Sequence, residues 1–519
     1  MPPSDLRLGV DVGGTNTDAV VIEGRDNGLV AKAKVPTTPE VQDGIADAIR
    51  KLVAHAEVDA ERVTHAMLGT THATNAVLER RNVKRVAVVR IGSPLTHAIP
   101  PLATWPAELR RAVSVGECVV RGGAEFDGRV ATELDEEAIA RFVQGVAEEV
   151  EGVAISSVFS PVAPQHELTA AEIVRRELGD EMHVSLSHEI GSVGLLEREN
   201  ATVLNAALVE AAHGLATAFR EALDAVGIFA EPFFAQNDGT LMALDYALRF
   251  PVLMIGSGPA NSMRGAAYLS GVEDAVVVDA GGTSTDVGVL VNGFPRESAL
   301  PTEIAGVRMN FRMPDILSLP LGGGSVLHLD ADPPAIGPES VGFRLGSRAL
   351  VFGGDTPTLT DAAVAAGRAA IGSRPLTARR RAALAGVLAL VDETLVDAVD
   401  RAKATLHPTP LVVVGGASML VPDRLAGVGE IIRPADYEVA NAIGAAIAPV
   451  SGQADRICPS RPDLRSLALE EARASAFSRA VLAGADPKAV EIVEVEEIPL
   501  TYLVDPAIRI RVKAAGPRA

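Results

Sequence analysis

The sequence predicts an α/β fold made of two related halves, and two observations support this prediction. Apolar runs typical of buried strands alternate with stretches whose apolar residues recur at helical spacing, which indicates mostly parallel sheets covered by helices. A glycine-rich motif also occurs twice: DVGGTNTD at residues 11–18 and DAGGTSTD at residues 279–286 agree at six of eight positions. Two copies 268 residues apart indicate two similar halves that face a shared cleft.

The same patterns give the individual elements and the division of the chain. We predict strands over residues 6–12, 18–23, 85–91, 152–158, 232–239, 250–258, 274–282, 285–293 and 411–418. We predict helices over residues 41–56, 135–150, 195–226, 360–406 and 441–450. Three units follow from this order: residues 1–195 with the first motif, residues 196–450 with the second, and residues 451–519 as a small α+β module.

Composition and charge exclude several classes of protein. A net charge of −20 without a basic stripe argues against a nucleic-acid partner. Two cysteines and no CxxC pair argue against a disulfide scaffold and a structural zinc site. No run approaches the roughly 20 apolar residues that cross a bilayer, and no signal peptide is evident. We therefore expect a cytoplasmic protein without a membrane partner.

The repeated motif has the chemistry of a phosphate-binding turn. Paired glycines permit a tight turn and a close backbone approach to a ligand, and successive N–H groups in such a turn form an anion-binding concavity. Asp11 and Asp279, which lead the two copies, are candidates to hold a hydrated Mg²⁺ and to act in catalysis. The candidate phosphate ligands are Gly13, Gly14, Thr15 and Asn16 in the first copy and Gly281, Gly282, Thr283 and Ser284 in the second.

Each copy alone fits an ordinary β-hairpin turn equally well, but two matched copies favour ATP phosphates held from both sides. A third, uncharged glycine turn follows an apolar strand at residues 413–418, where Gly415 and Gly416 suit the packing of an adenine or ribose. Alone, this turn fits a plain strand-to-helix connection. The P-loop pattern GxxxxGK[ST] is absent, and residues 256–259 (GSGP) lack the third glycine of a dinucleotide fingerprint.

On these and further motifs the chain resembles the A-type subunits of the hydantoinase/oxoprolinase family, a branch of the actin-like ATPase superfamily. The matching segments are GVDVGGTNTDAVV near the start, GTTHATNAVLERR (69–81), NATVLNAAL (200–208), IGSGPANSMRGA (255–266), VVDAGGTSTDVGV (277–289), and LGGGS with GPESVG (321–342). The resemblance implies two duplicated actin-like (ribonuclease H-like) domains with a nucleotide cleft between them. It also implies ATP-dependent, Mg²⁺-assisted opening of a cyclic amide or imide, by one subunit of a complex with a second, B-type or unrelated, subunit.

The segment GTTHATN at residues 69–75 is the candidate substrate-side motif. The hydroxyl and amide groups of Thr70, Thr71 and Asn75 suit a flat polar ring with N–H and C=O groups, and His72 is a candidate base. The same residues fit a capped helix start, with Thr71 or Thr74 as the N-cap. The two interpretations are compatible with each other.

Two features depart from the family pattern. Long members carry a His shortly before the LGGGS-like turn, and Leu317 stands at that place here, which argues against a transition metal. The chain is also shorter than typical members, so the particular cyclic amide and the partner subunit stay open. Alternatives on the same nucleotide platform are a kinase, a carboxylase, and an ATP-driven chaperone or reactivating factor.

Overall fold

The computed structural model describes residues 5–24, 27–38, 41–55, 58–191, 194–298, 302–310, 313–330, 334–500 and 506–519. In chain order the strands are β1 (Leu6–Val12), β2 (Asn16–Glu23), β3 (Leu29–Pro36), β4 (Val63–Thr70), β5 (Val86–Ser93), β6 (Ser114–Arg121), β7 (Gly152–Ser157), β8 (Val184–Leu186), β9 (Glu231–Ala235), β10 (Leu241–Ala243), β11 (Ala275–Ala280), β12 (Thr285–Val291), β13 (Phe294–Pro295), β14 (Thr302–Ile304), β15 (Val307–Met309), β16 (Leu317–Leu319), β17 (Ser325–His328), β18 (Ala335–Ser340), β19 (Thr409–Val414), β20 (Val428–Ile432), β21 (Val450–Pro459), β22 (Glu491–Leu500) and β23 (Ala507–Gly516).

The α-helices complete the inventory of elements. They are α1 (Val41–Val53), α2 (His72–Glu79), α3 (Ala107–Val113), α4 (Glu136–Gly145), α5 (Gln165–Leu178), α6 (Ser187–Ile190), α7 (Leu195–Asp224), α8 (Leu244–Arg249), α9 (Ser257–Ser270), α10 (Leu345–Arg348), α11 (Leu359–Ala365), α12 (Ala378–Ala385), α13 (Leu388–Ala402), α14 (Ala440–Ile447) and α15 (Pro462–Leu482). Within the described ranges, no helix combines the length and the apolar character that a membrane crossing needs.

The first half is built on a nine-stranded sheet in the order β22-β23-β21-β10-β9-β4-β1-β2-β3. At its centre β1 pairs antiparallel with β2 and parallel with β4. All seven residues of β1 are buried, since helices such as α1 and α14 pack against the sheet. A strand buried on both faces is mostly apolar, which explains why the sequence LRLGVDV, with only Arg7 and Asp11 charged, was recognisable as a strand.

The second half repeats this arrangement in a six-stranded sheet. Its path is β13-β12-β11-β19-β20, with β16 paired to the far side of β12. Here β11 pairs antiparallel with β12 and parallel with β19, as β1 pairs with β2 and β4 in the first half. The predicted α/β fold with two related halves is therefore confirmed.

A smaller sheet interrupts the first half. Strands β6-β5-β7-β8 form a parallel sheet covered by α4 and α5. The long helix α7 packs against β5 and β7 and carries one side of a buried ion pair. Glu199 on α7 accepts hydrogen bonds from Arg90 Nε at 2.7 Å and from Ser156 Oγ at 2.9 Å. Arg90 and Glu199 are 0% and 1% exposed, so this charge pair lies wholly inside the molecule.

The predicted unit boundaries remain predictions, but strand pairing crosses both of them. Strands β9 and β10 follow residue 195 in the chain yet belong to the first sheet, where β9 pairs with β4. Strand β21 begins at Val450 and joins the same sheet through a parallel pair with Leu241. Strands β23 and β22 then add to β21 in antiparallel register, with α15 packed on β21 and β23. The residues after 450 thus extend the first sheet.

One predicted strand is wrong. Residues 250–258 (FPVLMIGSG) form a 3₁₀ turn at Pro251–Met254, and α9 begins at Ser257. The ring of Pro251 fixes φ near the helical value and removes the N–H that a strand would need. Gly256 then adopts a φ of 75° as the residue before α9, a conformation that glycine accepts readily. For the helix predicted over residues 41–56, α1 ends at Val53, and position 56 lies outside the described residues.

We predict that Glu199→Ala strongly destabilises the protein. Removing one partner of a buried pair leaves an uncompensated charge, a change that typically costs about 3–5 kcal/mol in free energy of unfolding. The matched control is Asp47→Ala, which breaks an exposed pair with Arg50 on α1 and should cost at most about 0.5 kcal/mol. Denaturant unfolding of both variants checks this. Equal, small losses in both variants would show that the buried Arg90–Glu199 pair does not stabilise the fold.

Candidate functional site

Both copies of the repeated motif are β-hairpin loops at corresponding places in the two sheets. In the first, Asp11 lies opposite Asp18 across β1 and β2, and the Gly13 N–H donates to Asn16 O at 3.1 Å. In the second, Asp279 lies opposite Asp286 across β11 and β12, and the Gly281 N–H donates to Ser284 O at 2.9 Å. The hairpin interpretation of each copy is thus confirmed. The hairpin geometry is also compatible with phosphate binding, because the tips of the two hairpins lie next to each other.

The tips of the two hairpins are in direct contact. A Cβ atom at Gly282 would lie 2.1 Å from Thr15 Oγ1, and one at Gly14 would lie 3.4 Å from Thr283 Cγ2. Only glycine therefore allows the second tip to approach Thr15 so closely. The Thr15 hydroxyl is buried and has no hydrogen-bond partner in the described part of the chain. The predicted phosphate ligands of the two motifs are thus brought together from positions 268 residues apart.

A glycine on the parallel neighbouring strand lies against the leading aspartate in each half. Asp11 pairs in register with Gly69 at the end of β4, and a Cβ at Gly69 would lie 2.7 Å from Asp11 Oδ1. Asp279 pairs with Val414 at the end of β19, and a Cβ at Gly415, the next residue, would lie 2.2 Å from Asp279 Oδ1. The GTT segment of the first half therefore corresponds in position to the GGA segment of the second.

The third glycine turn, at residues 413–418, contains Gly415 and is held by backbone hydrogen bonds. The Gly415 N–H donates to Tyr437 O at 3.0 Å and the Ala417 N–H donates to Ala280 O at 2.7 Å, so the turn is fixed to the second hairpin strand. Gly415 has a φ of 89°, whereas a Cβ at Gly416 would meet no atom within 4 Å. Gly415 is thus required by packing, and Gly416 borders open space beside the hairpin.

The substrate-side motif lies at the same edge of the first sheet as the first hairpin. The Thr71 N–H donates to Val12 O at 3.4 Å, and Thr70 Oγ1 accepts the His72 N–H at 2.9 Å. Helix α2 does begin after Thr71, but the Thr71 hydroxyl makes no capping bond. Thr74 Oγ1 instead accepts the Gly256 N–H at 3.1 Å, which ties the motif to the turn before α9. The predicted side-chain cap is therefore wrong, because these hydroxyls bond to other segments.

Two members of the motif differ in exposure. Asn75 is exposed, and its amide donates to Thr71 Oγ1 at 3.4 Å. His72 is partly buried, and this burial lowers its pKa, although the nearby Glu79 opposes the shift. A lowered pKa keeps the imidazole neutral near pH 7, the state that a general base requires.

Burial raises the pKa of each of the four aspartates in the two hairpins. For Asp11 the pKa rises to about 7, first through burial and then through repulsion from Asp18, while the Asn441 amide opposes the rise. Burial raises the pKa of Asp18 to about 6 and that of Asp286 to about 7. The pKa of Asp279 is also raised by burial. Four carboxylates held this way make a site that favours a cation.

The donor set fits a hydrated Mg²⁺. Asp11 Oδ1 is buried and accepts no hydrogen bond from the described residues, so it has a free acceptor position. No group of three or more His, Cys, Asp or Glu side chains in those residues is arranged to hold a metal by itself. Mg²⁺ usually keeps several waters and binds through one or two carboxylates together with nucleotide phosphates. Asp11 and Asp279 match that requirement.

Three polar side chains at this site were not predicted from the sequence. The Asn441 amide donates to Asp11 Oδ2 at 3.3 Å and also lowers the pKa of Asp279, so it lies between the two halves. Asn261 on α9 is fully buried beside Gly69, and neither its amide nitrogen nor its oxygen has a partner in the described chain. Lys34 on β3 forms an ion pair with Asp18. These three residues can be recognised only from their contacts with residues that are distant in the sequence.

The LGGGS segment supports the second hairpin from behind. The N–H groups of Gly323 and Gly324 donate to the carbonyl oxygens of Gly281 and Gly282 at 3.0 and 2.7 Å. A Cβ at Gly322 would lie 2.5 Å from the backbone of that hairpin. In these bonds the hairpin contributes only its carbonyl groups, so its N–H groups are not engaged by the LGGGS segment. Leu317, in β16, pairs with Val287 of β12 and is partly buried.

Two family models match the chain. The hydantoinase/oxoprolinase N-terminal region matches residues 7–178, and the hydantoinase/oxoprolinase model matches residues 198–378. The chain belongs to the hydantoinase/oxoprolinase family. Family membership covers the first hairpin, the GTTHATN motif, the second hairpin and the LGGGS segment. The third turn and the strands after residue 378 lie beyond the matched regions.

A named relative matches most of the chain. The chain is 29% identical to the caprolactamase subunit alpha of Pseudomonas jessenii over 86% of this chain and 66% of that relative. Across the first relatives it matches, it spans between 53% and 66% of their length.

Two solved structures show the fold. Nucleotide-free acetone carboxylase superposes with a TM-score of 0.73 at 19% identity, covering 99% of this chain and 88% of the other. The ATP-dependent caprolactamase of Pseudomonas jessenii superposes with a TM-score of 0.72 at 21% identity, covering 98% and 87%. The expected actin-like ATPase fold is thereby confirmed.

We predict opposite outcomes for alanine at the two glycines of the third turn. Gly415→Ala places a Cβ against Asp279 in a left-handed conformation, and such backbone strain alone costs about 1–3 kcal/mol. Gly416→Ala meets open space and should leave the melting temperature unchanged. Thermal unfolding of both variants checks this. If Gly416→Ala keeps its stability but loses nucleotide affinity, the turn contacts the nucleoside; if both variants melt like the parent, the described packing is incorrect.

Proposed function

We propose that the chain is the ATP-using subunit of an enzyme that opens a cyclic amide or imide. The observation that carries the proposal is that the tips of two matched Asp-x-Gly-Gly-Thr hairpins, one from each sheet, meet beside the GTTHATN motif of the first sheet. Nucleotide phosphates and a small polar acceptor would therefore meet within a single site. Membership of the hydantoinase/oxoprolinase family supports the same class of substrate.

The proposed chemistry overcomes the weak electrophilicity of an amide carbonyl. The amide oxygen attacks the γ-phosphorus of ATP, the bond to the β-phosphate oxygen breaks, and ADP leaves. Water then adds to the activated ring carbon, the C–N bond breaks, and a second water releases inorganic phosphate. Phosphoryl transfer depends mainly on positioning and charge stabilisation, which backbone N–H groups and fixed side chains supply.

Each group of residues has an assigned role in this proposal. Asp11 and Asp279 would hold Mg²⁺, which neutralises phosphate charge when bound. Hairpin N–H groups and the Thr15 hydroxyl would bind phosphate oxygens, while Gly415 and Gly416 border the nucleoside. Thr70, Thr71 and Asn75 would orient the ring, and neutral His72 would accept a proton from water. Lys34, which pairs with Asp18, adds one positive charge beside the phosphates.

Nucleotide binding in this scheme requires the two hairpins to separate. Their tips touch at Thr15 and Gly282, and a phosphate group cannot enter a van der Waals contact. Cavities of about 110 and 400 Å³ lie elsewhere in the molecule. We infer that the halves open to admit ATP and close on it, as in hinge-type domain closure.

The proposal also includes a second subunit and a cytoplasmic location. The relative from Pseudomonas jessenii is itself a subunit, and this chain spans only part of that relative's length. Carboxylation of a ketone is the second candidate function, because the acetone carboxylase structure has the same fold over nearly the whole chain. An ATP-driven chaperone is the third, and the GTTHATN motif at the hairpin edge disfavours it.

The decisive experiment measures ADP release by the purified chain, with its genomic partner subunit, across a panel of hydantoins, lactams and imides. We expect turnover that depends on one ring class and yields the ring-opened amino acid with one phosphate per ring. Bicarbonate-dependent carboxylated product would favour the carboxylase. Activation by a protein client alone would favour the chaperone, and a stable phosphorylated product would favour a kinase.

We predict that Asp11→Asn and Asp279→Asn weaken Mg-ATP binding at least tenfold, because each removes a carboxylate from the metal site while preserving side-chain shape. Asp47→Asn, on the exposed surface of α1, is the matched control and should bind normally. Isothermal titration with and without Mg²⁺ provides the measurement. Unchanged nucleotide affinity in both hairpin variants would refute the metal role of these aspartates.

A further inference from the structure

A cavity of about 110 Å³ lies where the first sheet opens next to β21. Strand β21 pairs with β10 at one residue pair only, Leu241 with Val450, and the rest of β21 pairs on its other side with β23. The free edge of β21 therefore faces the loop after β9 and the region around His188. None of the lining residues belongs to the three glycine turns or to the GTTHATN motif.

The cavity is lined by four arginines in a chain whose net charge is −20. Two of them are neutralised locally: Asp455 accepts from Arg509 at 2.6 Å, and Arg511 lies 3.2 Å from Glu496. The other two, Arg456 and Arg479, form no ion pair with any carboxylate of the described residues. Two guanidinium groups therefore line this cavity without a direct ion pair to any carboxylate of the described residues.

Arg456 and Arg479 are fixed by backbone carbonyl groups. Arg456 donates to Pro161 O at 3.2 Å, and Arg479 donates to Gln453 O at 3.0 Å and to His188 O at 3.5 Å. Such bonds orient a guanidinium without cancelling its charge. Burial and then the positive charge of Arg479 lower the pKa of Arg456, while Glu471 and Asp455 oppose the shift, so the two cations lie near each other.

A buried amide independently indicates a ligand in the same cavity. Asn237 lines the cavity and is only 3% exposed, yet its amide nitrogen has no hydrogen-bond partner among the described residues. A buried donor without an acceptor typically costs about 1–3 kcal/mol. An acceptor oxygen from a bound molecule would remove this cost and would also neutralise the two arginines.

We propose that this cavity is a binding site for a small oxyanion, either a carboxylate or a phosphate, separate from the hairpin site. Guanidinium groups bind the oxygens of both anions through paired N–H donors, and the Asn237 amide supplies a further donor. The volume limits the ligand to a small molecule or to the anionic end of a larger one. This inference does not depend on the proposed enzymatic function.

The test is isothermal titration of the full chain with succinate and, separately, with inorganic phosphate, using neutral succinamide as a shape control. Arg456→Gln and Arg479→Gln should each weaken anion binding at least tenfold. Asn237→Asp should do the same by placing a carboxylate in the cavity. Arg473→Gln is the matched control: it removes the same charge from the same helix, but at an exposed pair with Glu470, and should bind normally.

The outcomes separate the ligand sources and decide the proposal. Binding of succinate alone, or of phosphate alone, identifies the anion class, provided that the cavity variants abolish it. The proposal is overturned if neither anion binds at millimolar concentration, or if Arg473→Gln weakens binding as much as Arg479→Gln. Should both cavity arginine variants lose their circular dichroism spectrum, the Asn237→Asp variant, which keeps both arginines, gives the decision.

Discussion

The close approach of backbone to two buried carboxylates is the constraint on which the rest of the structure depends. Gly69, in register with Asp11, and Gly415, one residue beyond the register partner of Asp279, each lie against the leading aspartate of the neighbouring hairpin. Any side chain at either position would displace the carboxylate. The two halves are therefore similar in more than the repeated motif: in each half, a glycine that cannot accept a side chain lies against the leading aspartate.

Much of the fold and of the two hairpins could be predicted because the signals lie within short stretches of sequence. Strand β1 and the hairpin after it are recognisable from a mostly apolar run at residues 6–12 that is followed by paired glycines. Asn441 could not be found this way, since it meets Asp11 across 430 residues of chain. Residues 250–258 gave a wrong strand because a short apolar run has no period that distinguishes a strand from a helical turn. The place of β21 in the first sheet depends on a single residue pair that no pattern indicates.

Electrostatics explains why the proposed nucleotide site would need both a metal ion and Lys34. The two hairpins bring four aspartates with raised pKa values into one region of an acidic protein. An ATP phosphate chain would add further negative charge to the same place. Backbone N–H groups offset part of this through their dipoles, but carboxylates and phosphates become compatible only when a cation lies between them.

The joint between the halves determines how such a site can open. Helices α9 and α14 cross at glycines: a Cβ at Gly265 would lie 1.9 Å from Ala440 O, and one at Gly444 would lie 1.8 Å from Asn261 O. Helix α14 is also held against β1, since a Cβ at Gly9 would lie 2.3 Å from Ala442 O. Backbones packed this closely resist sliding. In the proposed opening, the Thr15 and Gly282 tips would separate by rotation about this crossing, and Asn261 and Asn441, which lie on the two helices, would change position beside Asp11 and Gly69.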